Sequence, residues 1–587
     1  MSAPGVETTI ASKAPVSSPR RRQLPTLARN LALAALILVV GYLIIPPIGA
    51  LLLGSATDTP PGVAPHFTSS SLVYAYTQRD HYASMLLSAE FAACTATLVL
   101  LVGGALAWIV ARTDSPLGRM ADIFTLVPIL VPAILFATGW LLLLGPRGGM
   151  LNLWAMQIFG LKSAPLNLYS FWGMVWVGAL QEIPLAFLWF WPAFKSMNSD
   201  LEDAALMSGA SALTVIRRIT IPLLRPAVVS GWIMFFIYGL GALAVPLMIG
   251  IPAGYVMYST EIYLAVQRIP SDLNLASAYS LALLAASLIG VYVYHRATRD
   301  LSRFTTVTGK AFNPRIQRLG RWRPVATAFG ILMLFLVALL PMLVLLWNAF
   351  IPFSQLPSMA AFKLMSLKNF RAALEYGEAI QALINSVVLG IAAGFITTVL
   401  GCTIAWCTLR LKGPKFLLAT LDQMATLPVA MPGLIVGVSV LWFYLLLPLP
   451  IYGSPWILLI AYITLHLPYA VRICGSGLAQ LHHELEEAAA MCGAHWFTVF
   501  RRIVLALLAP SLLTSVIYVG LRSFREYSAS ILLASPGNQV FSVMVLDMWD
   551  GGNLNILCAY VTMVTAVLGV MVALLSWAAR RFGVKVA

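Results

Sequence analysis

Glu484 to Pro510 reads ELEEAAAMCGAHWFTVFRRIVLALLAP, a polar, small-residue segment set between two apolar runs long enough to cross a membrane. It occurs twice. Shifted by 284 residues it falls on Asp200 to Pro226, DLEDAALMSGASALTVIRRITIPLLRP. Glu202, Ala204, Ala205, Met207, Gly209, Ala210, Arg217, Arg218 and Pro226 match Glu486, Ala488, Ala489, Met491, Gly493, Ala494, Arg501, Arg502 and Pro510. Two copies in register imply a chain of two related halves.

In a helix, Glu486, Ala489 and Gly493 stand at i, i+3 and i+7 and share one face nearly bare of side chain, which another protein could approach closely. The glycine then ends or bends the helix. This pattern resembles the EAA loop of the inner-membrane subunits of binding-protein-dependent ABC importers: E-A-A-x-x-x-G, followed about a dozen residues later by an apolar-Pro step. Glu487-Ala488-Ala489 with Gly493 fits it, while Asp203-Ala204-Ala205 with Gly209 departs by one methylene. The family's proline stands at Pro222 in the first copy, and Ala506 takes its place in the second. The alternative is a plain helical hairpin joining two spans, and two copies in register weigh against it. The resemblance implies that Glu202, Asp203, Ala204, Ala205, Gly209 and Glu486, Glu487, Ala488, Ala489, Gly493 couple to a separate ATPase.

Composition points the same way. The chain is 60% hydrophobic and only 10% charged over 587 residues, against roughly a quarter charged in soluble domains, so it is read as an all-α, polytopic membrane protein. A net charge of +15 could suggest nucleic acid, but the basic residues lie in short clusters between apolar runs with no aromatic-basic module. Cys94, Cys402, Cys407, Cys474, Cys492 and Cys558 show no C-x-x-C spacing, so neither a disulfide nor a metal site is expected.

Residues 1 to 28 are rich in Ser, Thr, Ala, Pro and Arg and read as a disordered cytoplasmic tail. Apolar runs near 31–53, 83–111, 120–144, 169–194, 227–251 and 273–294 give six spans to a first half, residues 29–294. A basic linker at 295–324 follows. Runs near 325–349, 379–409, 417–446, 456–478, 511–535 and 553–578 give six more to a second half, 325–587. About twelve transmembrane helices in two parallel six-helix repeats are therefore expected. Threading them from a cytoplasmic N-terminus puts 28 of the 37 Lys and Arg residues on the side of the EAA-like segments and both termini, which marks that side as cytoplasmic. The linker, with eight basic residues and one acid, reads as a solvated connector.

Pro128 and Pro132 in VPILVPA match Pro428 and Pro432 in LPVAMPG at a shift of 300, as Asp122 matches Asp422. The slip between the two offsets falls in the longer first-half loop at Gly145–Gly149. Prolines inside a span free backbone groups that buried protein or a water-lined path must satisfy. Pro128, Pro132, Pro428 and Pro432 therefore either line a translocation path or merely kink helices. Asp122 and Asp422 read as helix N-terminal charges. Arg522, Arg525 and Glu526 sit deep in an apolar run and should face the bundle interior. Arg522 and Glu526 could pair at i, i+4, leaving Arg525 as a net positive charge; Arg525 and Glu526 are then expected to line the outer part of a solute path, or the trio could be an interhelical lock.

Gly309-Lys310 lacks the rest of a G-x-x-x-x-G-K-[ST] cradle, so no nucleotide or other cofactor is expected here and ATP would be hydrolysed elsewhere. His482-His483 point apart on a helix and have no third ligand at the right spacing. No catalytic residues stand out. The resemblance implies an importer permease served by two ATPase copies and a periplasmic solute-binding protein, in the bacterial inner membrane. LPVAMPG and REYSASILL look most like ferric-iron permeases, with thiamine, 2-aminoethylphosphonate and polyamine permeases as relatives. From other classes, an ion-coupled 6+6 transporter would use Glu90, Glu182 or Glu526, and a membrane scaffold would need neither paired prolines nor buried charges.

Overall fold

In the computed structural model, residues 26–120, 132–146, 148–195, 197, 200–298, 316–411 and 413–581 are described. They fold as helices without a β-strand among them. In a bilayer only helices and closed barrels satisfy every backbone polar group, and apolar runs of this length choose the helix. The first half comprises α1 (Thr26–Ser55), α2 (Arg79–Arg112), α3 (Ala133–Leu144), α4 (Phe171–Lys195), α5 (Asp200–Met207), α6 (Ile216–Leu240), α7 (Tyr258–Gln267) and α8 (Leu273–Thr298). The second comprises α9 (Gly320–Phe350), α10 (Ala379–Arg410), α11 (Lys415–Thr426), α12 (Gly433–Leu446), α13 (Pro455–Ala479), α14 (His483–Met491), α15 (Phe500–Phe524), α16 (Phe541–Asp550) and α17 (Leu554–Arg581).

Among the described residues ten helices are long and apolar enough to cross a membrane, not twelve. The run at 417–446 is a broken span, bent by 111° between Ala430 and Gly433. Pro428 and Pro432 lack the N–H a straight helix needs, and Pro432 is extended, with φ −52° and ψ 147°. The matching run at 120–144 has only its α3 end within the described residues; Asp122 and Pro128 lie outside them, as do the tail to residue 25 and the linker at 299–315. Asp422 lies late in α11, so it is not the helix N-terminal charge expected of it. The runs at 227–251 and 511–535 are cut too: α6 ends at Leu240 and α15 at Phe524. The short helix Met150–Phe159 occupies the longer first-half loop and accounts for the slip between the two offsets.

The halves repeat in their close contacts. A methyl added at Gly103 of α2 would stand 2.5 Å from the Ala186 side chain of α4, and one at Gly401 of α10 would stand 2.7 Å from Ala470 of α13; small residues let these backbones approach where packing replaces the hydrophobic drive. They also repeat in polar ties. Ser88 Oγ accepts from Tyr258 N and Ser386 Oγ from Phe541 N, both at 2.8 Å, so α2 and α10 cap α7 and α16. Asn274 donates to the carbonyls of Gly54 and Thr57, and Asn555 to those of Asn348 and Ile351, fastening the last helix of each half to the end of its first.

The two halves interlock. α1 packs against α11 and α12 of the second half, and α9 against α3 of the first. Trp442 of α12 donates to the Leu273 carbonyl at 3.1 Å, and the Tyr444 hydroxyl meets that of Tyr42 at 3.4 Å.

Candidate coupling loops and central cavity

The two EAA-like segments begin with the short helices α5 and α14, and α5 lies by the described end of the basic linker, where Gln317 N donates to the carbonyl of Arg112, the partner of Glu202, at 2.7 Å. Both end alike. Gly209 has φ +84° and Gly493 φ +78°, a left-handed conformation that costs any residue with a Cβ. Ala210 N reaches back to Ala205 O and Ala494 N to Ala489 O, at 3.0 and 3.1 Å, closing each helix with a six-residue turn. Beyond it, five-residue π turns at Ile216–Thr220 and Phe500–Val504 hold the Arg217-Arg218 and Arg501-Arg502 pairs.

The helix faces are turned from the expected orientation. Glu202 is buried and paired with Arg112, the last residue of α2, and its Oε1 accepts from Thr220 Oγ1 at 2.7 Å. Glu486 faces Arg410, the last residue of α10, at 3.9 Å, and Arg410 also donates to the Leu478 carbonyl at 2.9 Å and to that of Leu481. Glu202 and Glu486 therefore anchor the loops to the bundle rather than face outward. Asp203, Ala205 and Ala489 are partly buried, while Ala204, Glu487, Ala488, Gly209 and Gly493 are exposed. The outward stripe is instead Leu201, Ala204 and Met207, repeated as Leu485, Ala488 and Met491. Its large apolar members are 51%, 90%, 48% and 65% exposed at Leu201, Met207, Leu485 and Met491, an arrangement suited to covering by another protein.

Deep between the halves the backbone breaks at matched positions, Gly241–Leu243 after α6 and Arg525–Tyr527 after α15. Irregular backbone at this depth must be satisfied by protein or by a water-lined space. Ser259 Oγ donates to the Ala242 carbonyl at 2.6 Å, and Ser542 Oγ to that of Glu526 at 2.9 Å. The breaks bound a cavity of about 190 Å³, whose polar lining includes Gln181 and Glu182 from α4 and Arg525, Glu526, Tyr527 and Ser528 from the second half. Glu526 Oε1 accepts from Ala529 N at 3.2 Å. Glu182 Oε2 and the Tyr527 hydroxyl are buried without a hydrogen-bond partner among the described residues.

Arg525 and Glu526 thus line one space. Arg522 does not pair with Glu526, because α15 has ended before the fourth residue of that turn. Its Nη1 donates to the Tyr518 hydroxyl at 3.0 Å, and its guanidinium lies 4.8 Å from the Tyr469 ring centre. Pro432 touches the edge of this region: a methyl on Gly241 would stand 2.7 Å from its Cβ. Pro132 is buried at the start of α3 and Pro428 in the turn before α12; neither lines the cavity. Glu90 is exposed on α2, away from the cavity lining. The helix breaks and Glu182's place beside them were not foreseen, although Gly241 and the charges at 525 and 526 inside apolar runs were available signals.

Residues 99–303 and 398–587 each match the model of the binding-protein-dependent transport system inner membrane component, so the match repeats as the fold does and covers more than half of the chain. The chain belongs to that family. This inner membrane component is similar over most of its length to the ferric transport system permease protein FbpB of Actinobacillus pleuropneumoniae, with 26% identity over 93% of this chain and 77% of the relative. A putative ferric transport system permease protein, FbpB 1, of Haemophilus influenzae is 27% identical over 87% and 79%. A putative 2-aminoethylphosphonate transport system permease protein, PhnV, of Salmonella typhimurium is 27% identical over 41% of this chain and 85% of its own length. Relatives of this inner membrane component are thus transport permeases, one group of them spanning both halves.

Proposed function

We propose that the chain passes ferric iron from a periplasmic binding protein to the cytoplasm, driven by two copies of a separate ATPase seated on α5 and α14. The doubled loop with its exposed Leu201–Ala204–Met207 and Leu485–Ala488–Met491 stripes carries the coupling reading, since one partner surface fits both. Motion of the two ATPases would rock the interlocked halves and open the cavity at Arg525 and Glu526 to alternate sides. Both termini and the linker lie in the cytoplasm, by the charge asymmetry. The choice of iron rests on relatives that span both halves and are described as ferric permeases. A 2-aminoethylphosphonate solute is the second reading, favoured by the match to PhnV over 41% of this chain.

The test is the complete importer in proteoliposomes, offered radiolabelled ferric iron, 2-aminoethylphosphonate, thiamine or a polyamine on the matching binding protein. ATP-dependent uptake of iron alone is expected. Uptake of another solute without iron overturns the assignment, and uptake driven by an ion gradient without ATPase overturns the importer reading.

A further inference from the structure

The described end of the basic linker is pinned along the residues that follow α2. Besides the bond from Gln317 N to the Arg112 carbonyl, Asp114 N donates to the Gln317 carbonyl at 3.1 Å, and Leu319 N to Asp114 Oδ1 at 3.0 Å. The Ser115 and Thr327 hydroxyls meet at 3.1 Å. Gly330 lets α9 close on this turn, since a methyl there would overlap the Leu117 side chain.

These contacts leave an open groove of about 460 Å³ lined by Pro116, Arg323, Pro324, Thr327, Ala328 and Ile331. Its two ends differ in chemistry. Arg323 stands where α9 begins, is 53% exposed, and meets Asp114 at 4.0 Å, the outer limit of an ion pair. Arg318 and Arg321 are exposed beside it in sequence, and the Arg321 guanidinium lies 5.9 Å from the ring centre of the exposed Trp322, a residue type favoured at the membrane surface. Ala328 and Ile331 lie roughly 7 and 12 Å further along the helix, at about 1.5 Å per residue. There α9 is a membrane span whose Ile331, Leu332 and Phe335 face outward. A soluble protein cannot follow the groove into that apolar end, and a free anion has no use for it.

We propose that this groove is a binding site for an anionic phospholipid. The headgroup phosphate accepts from Arg323, with Arg321 and Arg318 adding positive charge, and the first carbons of an acyl chain run over Ala328 and Ile331. Guanidinium groups suit phosphate oxygens, and basic pockets at the ends of membrane helices select acidic headgroups. Phosphatidylcholine would bring an ammonium group to the same arginines, so phosphatidylglycerol is preferred. The lipid lies beside the Gln317–Arg112 bond, and Arg112 in turn holds Glu202 of α5. The inference goes beyond the transport reading and does not rest on the solute.

The test uses the full chain, delipidated in detergent and titrated with phosphatidylglycerol or with phosphatidylcholine of the same acyl chains, bound lipid being read by native mass spectrometry. Phosphatidylglycerol should fill a first site at a concentration at least tenfold lower. At about fivefold per arginine, Arg321→Gln with Arg323→Gln should weaken that site about twenty-fivefold, while Arg321→Lys with Arg323→Lys keeps most of it. Ala328→Trp fills the groove, leaves every arginine in place, and should weaken the site as well. The exposed arginines carry the test alone should the tryptophan disturb folding. A phosphatidylglycerol made photoreactive near its glycerol should label the peptide holding Ala328 and Ile331. Equal affinity for the two lipids, or unchanged affinity in the double Gln variant, overturns the site. Wild-type affinity in a folded Ala328→Trp, with loss in the double Gln variant, shows diffuse attraction to basic charge and overturns the groove. Displacement of phosphatidylglycerol by an equal concentration of glycerol 1-phosphate makes this an anion site and overturns the lipid assignment.

Discussion

Arg112 and Glu202 form an ion pair in which neither side chain is more than 1% exposed, joining the last residue of α2 to the short helix α5. Arg410 and Glu486 repeat it between α10 and α14, less buried and 3.9 Å apart. Each of these two helices is thereby fixed to the longest helix of its half, so that under the proposed coupling a push on α5 or α14 would be delivered to a membrane span rather than absorbed by a loop. The six-residue turns at Gly209 and Gly493 and the π turns beyond them make the remainder of each joint.

Removing one partner of a fully buried pair leaves an uncompensated charge, at about 3–5 kcal/mol. Arg112→Met should therefore lower membrane abundance and the midpoint of thermal inactivation in detergent sharply, whereas Arg410→Met, whose partner is partly solvated, should lower them less. Adding Glu202→Leu to Arg112→Met should restore much of the loss. Wild-type heat resistance in Arg112→Met would show that the pair does not hold the loop.

At Gly209 and Gly493 nothing lies within 4 Å of an added Cβ, so the cost of a side chain there is backbone strain and not a clash within the chain. A left-handed conformation costs an L-residue about 1–2 kcal/mol, with Asn the mildest replacement. Solute-stimulated ATP hydrolysis in the complete importer should fall in the order Gly, Asn, Ala, Val at position 493, with insertion and abundance preserved. A Gly493→Val permease that stimulates hydrolysis fully, together with a fully active Gly209→Val, would remove the docking role of these turns.

The repeat was legible because its markers are local: identical small residues, Arg pairs and prolines at fixed offsets in two copies. Span positions were legible wherever a helix runs unbroken. The breaks at Gly241–Leu243 and Arg525–Tyr527 were not, because an apolar window has the same average whether or not the helix inside it stops. The orientation of α5 and α14 was missed for another reason. Periodicity places Glu486 and Ala489 on one face but cannot say which way that face turns, and the partner that decides it, Arg410, is distant in the chain. The crossing of α1 and α9 onto the opposite halves is likewise a tertiary choice that no short segment encodes.

The placement of the two EAA-like loops can be read chemically. Cys492 on the second loop and Ser211 on the first are exposed, so a chain retaining Cys492 alone, and a Cys-free chain carrying Ser211→Cys, should each react with an impermeant thiol reagent in inverted vesicles. In intact cells with a permeabilised outer membrane they should be protected. Labelling of either site from outside would invert the topology and with it the assignment of α5 and α14 to the ATPases.

Arg522 and Arg525 are three residues apart and should behave differently. Arg522 is held by Tyr518 and stacked on Tyr469, so it belongs to the packing of the second half. Arg525 and Glu526 line the cavity together with Glu182 of the first half. A cation–π contact shielded from water contributes about 2 kcal/mol, and replacing Arg522 with Ala also leaves the Tyr518 hydroxyl without that partner. Arg522→Ala should accordingly deplete the protein from the membrane and lower its heat resistance. Arg525→Ala should leave abundance, heat resistance and binding-protein docking near wild type while lowering the uptake rate, and Glu526→Gln should do the same. Uptake is read in proteoliposomes at matched permease content. Normal uptake by Arg525→Ala, with Arg522→Ala and Glu526→Gln both simply lost from the membrane, would make all three residues structural and place the solute path elsewhere.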